Sequence, residues 1–166
     1  RWVLSHKTDA ISVYVRDIPN SDIEDVKAVG VIDADAQTLF EVVNDVGSFA
    51  AFIPFTEEAK VVSRAGQSQI VYQRVDAPLI DARDYYAKVT DTTRIKNGKT
   101  VYRSEWKSAP AAYQKKALRD DCVRVSTVDG YWEFEPLTEP NKSIVRYHLF
   151  TDPGGSIPAW ILNAGS

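Results

Sequence analysis

Apolar and polar positions alternate with a period of two along most of the chain, interrupted once by residues at helical spacing. "WVLSHK" and "ISVYVRDI" are short β-rich runs parted by the turn-like "TDA". "DVKAVGVID" (residues 25–33) sets Val26, Ala28 and Gly30 against Lys27, Val29 and Val31, the pattern of a strand with one buried face. A helix is expected directly after it. Asp33 or Asp35 is placed to cap it, and Leu39, Phe40, Val42 and Val43 form the apolar stripe of "AQTLFEVVND". Gly47 breaks this pattern, and "SFAAFIP" predicts a second, shorter helix ended by Pro54.

From there to residue 151 the pattern predicts strands almost throughout: "AKVVSRAG", "SQIVYQRVDA", "RDYYAKVTDTTRI", "TVYRSEWKSA", "CVRVSTVDGYWEFEPL" and "SIVRYHLFTD". Turn chemistry at Gly66, Pro78, Asn97-Gly98, Pro110 and Pro140-Asn141 parts them, and Asn97-Gly98 suits a tight hairpin. Links this short imply antiparallel neighbours. The reading is α+β: one domain over residues 1–166 on a long, curved antiparallel sheet of about nine strands, with two helices after the third strand. Asp152-Pro153-Gly154-Gly155 then reads as a turn, and Ser156 can cap a closing helix. There Ile157, Trp160, Ile161 and Ala164 share one apolar face directed back at the sheet.

Along the strands, aromatics with polar tips collect on one phase. Tyr102, Ser104 and Trp106 stand opposite Val101, Arg103 and Glu105; Trp132 and Phe134 stand opposite Tyr131, Glu133 and Glu135. Val145, Tyr147 and Leu149 oppose Arg146 and His148, which directs the histidine to solvent. Such aromatics either fill a core or line a cavity, and their hydroxyl and indole groups need partners once buried. In "DARDYYAKV" (81–89) Arg83 is in phase with Tyr85, Ala87 and Val89, while Asp84, Tyr86 and Lys88 fall on the phase expected to be wet. Arg83 either snorkels from the strand end or sits inside, where it needs a carboxylate or a ligand oxygen.

Composition narrows the function. The 166 residues carry a net charge of −3, so no basic footprint points to nucleic acid. No apolar run has the length of a membrane span, which favours a soluble protein. Cys122 is the single cysteine and reads as a small core residue; His6 and His148 show no ligand spacing, so neither a metal nor another cofactor is expected. The chain begins with Arg1 and contains no methionine, as a processed or trimmed chain would, and a removed export signal is one account of that. Asn141-Lys142-Ser143 fits an N-glycosylation acceptor and, beside Pro140, reads as a turn.

Four stretches together resemble the START family of lipid-transfer domains, within the helix-grip fold shared with the Bet v 1 type: "DVKAVGVIDADAQTLFEVVND", "IVYQRVDAPLIDARDYY", "GYWEFEPL" and "VRYHLFTDPGGSIPAWILN". The resemblance implies a U-shaped sheet wrapped around a C-terminal helix, enclosing an apolar tunnel for one lipid, sterol or other hydrophobic molecule, gated by that helix and a nearby loop. Arg83 and Asp84 match the family's Arg-Asp signature, and residues 157–163 match the start of the gate helix. The ligand-binding set it implies is Tyr72, Arg83, Tyr85, Val89, Tyr102, Trp106, Trp132, Phe134, Tyr147, Leu149, Trp160 and Ile161. Two departures stand out. The gate helix stops at Ser166, which suits an open cavity or one closed by a second copy, and Val89 is apolar where some members keep a buried charge, leaving Arg83 to meet a ligand headgroup. The resemblance also favours a bacterial, exported protein that touches membranes transiently. The rival readings are an enzyme on the same fold, such as a polyketide cyclase or aromatase, and an interaction module with a filled core. No nucleophile elbow or Gly-rich phosphate loop supports catalysis.

Overall fold

The computed structural model describes residues 1–119 and 122–154. Three strands open the chain, β1 (Val3–Lys7), β2 (Ile11–Arg16) and β3 (Asp25–Ile32). Helix α1 (Ala36–Asn44), a 3-10 turn (Val46–Ser48) and the single-turn α2 (Phe49–Phe52) follow. Then come β4 (Thr56–Ala65), β5 (Ser68–Val75), β6 (Ala82–Lys96), β7 (Lys99–Ser108), α3 (Ala111–Gln114), β8 (Cys122–Arg124), β9 (Thr127–Pro136) and β10 (Ser143–Asp152). The expected closing helix, with Trp160 and Ile161, lies outside the described residues.

The strands form one curved sheet in the order β1-β2-β3-β10-β9-β7-β6-β5-β4. β3 ends beside β10 near the middle of the sheet, whereas β4 is an edge, so α1 to α2 must carry the chain across one face. The hairpin between β6 and β7 turns on Asn97 and Gly98, both at positive φ (51° and 73°), as a type I′ turn requires. The run expected as one strand over 122–137 is two. β8 leaves the antiparallel path and pairs parallel with β6, Ala82 opposite Cys122 and Asp84 opposite Arg124. A segment of more than a dozen residues between β7 and β8 gives the chain room for this return, which the short-link argument did not cover.

Of the two candidate caps, Asp35 is the one used. It accepts hydrogen bonds from the backbone N–H of Gln37 (3.0 Å) and Thr38 (3.1 Å) and from the Thr38 hydroxyl. The Thr38 side chain, then these amides, hold the Asp35 carboxyl below its ordinary 3.8. A depressed acid stabilises the fold above its unfolded pKa and loses that contribution as pH falls through the folded value. Asp35→Ala is therefore expected to lower the thermal midpoint by a few degrees at neutral pH and by progressively less in acid, measured by circular dichroism melts across pH.

Under α1, Ala36, Phe134 and Val145 are buried with Leu39, Phe40, Val43, Tyr102 and Trp132 packed on them. A second cluster joins Ala87, Val125 and Val128 to Tyr85 and Trp106. The outer face departs from its sequence reading at two places. Asp84 is 0% exposed, because α3 and β8 return over the outside of β6 and bring Arg124 against it. His148 is also half-covered: its Nε2 lies 2.6 Å from Oδ1 of buried Asp25, and its ring sits between Trp2 and Tyr131. Cys122 is half-buried, not core, and burial pushes its thiol up.

Candidate ligand-binding cavity

The helical crossing does not close down on the sheet along its whole path. Beyond α1, the 3-10 turn and α2 arch over the inner faces of β5, β6, β7, β9 and β10 and leave a cavity of about 590 Å³. Its sheet side is formed by alternate residues, because successive side chains of a strand point to opposite faces. Tyr85, Ala87 and Val89 come from β6, Ser104 and Trp106 from β7, and Tyr147, Leu149 and Thr151 from β10. Val43, Val46, Phe49 and Phe52 form the roof.

Six members of the sequence-derived set thus meet at this cavity: Tyr85, Val89, Trp106, Trp132, Tyr147 and Leu149. Tyr102 and Phe134 share their phase but pack beneath α1 as core. Both aromatic readings hold, each for part of the sheet. Tyr72 faces the other way: its hydroxyl donates to Asp84 Oδ2 (3.1 Å) and its ring packs on Tyr86. Burial, then the Asp84 charge, pushes the Tyr72 hydroxyl up to about 12. Arg83 is 7% exposed and so does not snorkel, yet it stands apart from the cavity-lining residues. Its guanidinium donates to the carbonyls of Asp81 and Gly154 (3.4 Å), and its Nε has no partner among the described residues.

The walls are apolar with a few polar interruptions. Tyr85 donates to Gln73 Oε1, and Gln73 Nε2 donates to Thr56 Oγ1 at 2.8 Å, so this chain of bonds is satisfied internally. Burial raises the Tyr85 hydroxyl far above the ordinary tyrosine value and Tyr147 to about 12, so both remain protonated donors at neutral pH. The Tyr147 ring packs at a tilt on Trp132 and Trp106, with centroids 4.3 Å and 6.1 Å away. Gly130 lies opposite Trp106 in the β7–β9 register, and its missing side chain is what lets that indole lie against the backbone. Among the described residues no group of three His, Cys, Asp or Glu side chains could hold a metal ion.

Sequence reasoning missed the roof and the β5 wall. Val43, Val46 and Phe49 are readable only as helix core, since nothing in a stripe says whether its far side is filled. On β5 both phases are apolar or long, Gln69, Val71 and Gln73 against Ile70 and Tyr72. Tyr72 falls on the wrong phase because the strand is buried on both sides there.

A family model described as polyketide cyclase / dehydrase and lipid transport matches residues 32–166, covering this cavity and all strands from β4 onward. The chain belongs to this family. It is 29% identical over 164 residues to the uncharacterized protein PA1579 of Pseudomonas aeruginosa, covering 98% of this chain and 78% of that one. Its fold is that of the START domain. The crystal structure of a STAR-related lipid transfer protein from Xanthomonas axonopodis superposes with a TM-score of 0.82 at 24% identity, over 98% of this chain and 88% of that one. The Zhui aromatase/cyclase from a Streptomyces species is a more distant structural neighbour, with a TM-score of 0.51 at 16% identity over 79% of this chain and 70% of that one. No helix among the described residues is long and apolar enough to cross a membrane.

Proposed function

We propose that this domain binds one hydrophobic small molecule, of the lipid or sterol class, in the cavity beneath α1 to α2, and passes it on without chemical change. The observation that carries this reading is the cavity itself: about 590 Å³ walled mostly by Val, Leu, Phe, Trp and Tyr side chains. A space of that size suits a ligand of roughly a few hundred daltons. Burying an alkyl chain there is favourable by about 0.8 kcal/mol per CH₂. In this reading Tyr85, Val89, Trp106, Trp132, Tyr147 and Leu149 contact the ligand. The family resemblance assigns the gate to residues 157–163, with Trp160 and Ile161, which lie outside the described residues. Transient membrane contact uses exposed apolar side chains, Phe52 of the roof with Phe55 and Leu79, the last 94% exposed. A bacterial origin is part of the same proposal, supported by the bacterial relatives, and an exported location is proposed with it from the sequence alone.

A second reading, polyketide cyclisation, is favoured by one feature. Tyr147 presents a hydroxyl at the cavity wall that burial keeps protonated, as a donor to a substrate carbonyl would be. Native mass spectrometry of freshly purified protein, followed by solvent extraction, separates the two. The carrier reading expects one bound species per chain, unchanged on extraction, and its loss in Val89→Trp, which adds bulk to the wall. A clean unliganded mass with no uptake from a mixed lipid extract would overturn it, and turnover of an added polyketide would replace it with the second.

A further inference from the structure

One end of the cavity is built differently from the rest. Continuing the inward row of β6 past Val89 places Asp91 next on that face, opposite Ser104 of β7. Ser104 lines the cavity and is buried, and Asn44, the last residue of α1, lines it as well. Asp91 itself lines a neighbouring cleft of about 290 Å³ between α1 and the β4–β5 turn, and Gln69 borders both spaces.

Two acceptors at this end are buried without a partner among the described residues, Asp91 Oδ1 and Asn44 Oδ1. The amide orientation of Asn44 is set by its other end, because Nδ2 donates to the Phe40 carbonyl at 3.1 Å. Turned over, the amide would oppose oxygen to oxygen, so Oδ1 is the free atom. Arg64 lines the same cleft but leaves Asp91 Oδ1 unpartnered. Burial raises the Asp91 carboxyl, and hydrogen bonding from the Ser104 and Asn44 side chains opposes that rise, while Oδ1 itself keeps no partner of good geometry among the described residues. Buried polar atoms without partners are rare in folded proteins, and leaving them dry is costly. Structural packing gives no reason for a carboxylate and an amide oxygen here, where Val89 precedes on the same row. A hydrogen-bond donor brought by a ligand does.

We propose that the Asn44–Asp91–Ser104 end of the cavity recognises a hydrogen-bond-donating head, a hydroxyl or ammonium group, on an otherwise apolar ligand whose body lies against Val89 and Trp106. This rests on the ligand-binding reading above and adds the chemistry of the ligand's polar end. A site whose buried acceptors need a donor rejects the analogue that lacks one, because the acceptors are then left unpaired.

The test titrates the purified protein with 1-dodecanol, dodecyl methyl ether, dodecylamine and dodecyltrimethylammonium, followed by tryptophan emission. The alcohol or the amine is expected to bind about ten-fold or more tightly than the ether. Which of the two leads tells a neutral from a charged head, and the quaternary ammonium, charged but without a donor, is expected to bind no better than the ether. Asp91→Leu and Asn44→Leu are each expected to erase the preference, so that the alcohol and the amine bind no more tightly than the ether to the same variant. Equal affinity of alcohol, amine and ether in the unaltered protein would overturn this inference and leave the cavity reading standing. Binding of none of the four would overturn both.

Discussion

Gly130→Ala is expected to destabilise the protein by about 3 kcal/mol, the upper end of what an overpacked methyl usually costs, and to reshape the cavity at the same time. A Cβ on Gly130 would stand 2.5 Å from Cζ2 of the Trp106 indole and closer still to the His148 carbonyl oxygen. Neither approach occurs for a real Cβ, and the nearer obstacle is backbone held in the β9–β10 ladder. Strand β9 must move away from β10, or Trp106 must leave its place in the wall. For a domain of this length the loss corresponds to a fall in thermal midpoint of roughly 6–12 °C. Melts and the Trp106 contribution to emission check it, with Trp106→Phe as a second background. If the indole is the main obstacle, Gly130→Ala costs clearly less in the Trp106→Phe protein. If the His148 carbonyl is, the two substitutions add. A midpoint within about one degree of the unaltered protein would show that the glycine is not needed for this close approach.

Gly130 also shows what could be read from the sequence and what could not. Its stretch, "GYWEFEPL", was marked without any structure by its likeness to a START-family strand, inside what read as one strand run. So were the β6–β7 turn by Asn97-Gly98 and the inner face by the Val145, Tyr147, Leu149 row of β10. These are local facts: a turn type, a strand period, a shared phase. Alternation divides a strand into two faces, but it does not say what later chain will cover either one. Asp84 and Tyr72 were placed wrongly for that reason, because α3 and β8 come back over the outer side of β6 from residues far along the chain. His148 was misread in the same way, since its partner Asp25 lies across the β3–β10 pairing. Asp91 escaped notice because the phase argument stopped at Val89. A carboxylate two residues further on the same face was the available signal.

The covering of Asp84 leads to the second large effect. Arg124 grips its carboxylate with Nε to Oδ1 at 2.6 Å and Nη2 to Oδ2 at 3.1 Å, and Tyr72 adds its hydroxyl. The same guanidinium donates through Nη1 to the carbonyls of Tyr113 (3.2 Å), Gln114 (3.1 Å) and Lys116 (3.3 Å), and its plane lies over Tyr86. Both charges are nearly dry, so removing one partner leaves the other uncompensated in a poor solvent for ions. Arg124→Ala and Asp84→Ala are each expected to cost about 3–5 kcal/mol, a large part of the stability of an ordinary domain. The double substitution is expected to cost clearly less than their sum, because no lone charge remains. Arg124→Ala carries a second loss that Asp84→Ala does not, the three carbonyls of the 113–116 turn, so it alone is expected to open that turn to trypsin at Lys115 and Lys116. Denaturant melts give the energies and limited proteolysis gives the opening. Strict additivity in the cycle would mean that the two side chains stabilise the outer face independently, and that Arg124 acts as a cap for the turn without serving as the counter-charge of Asp84.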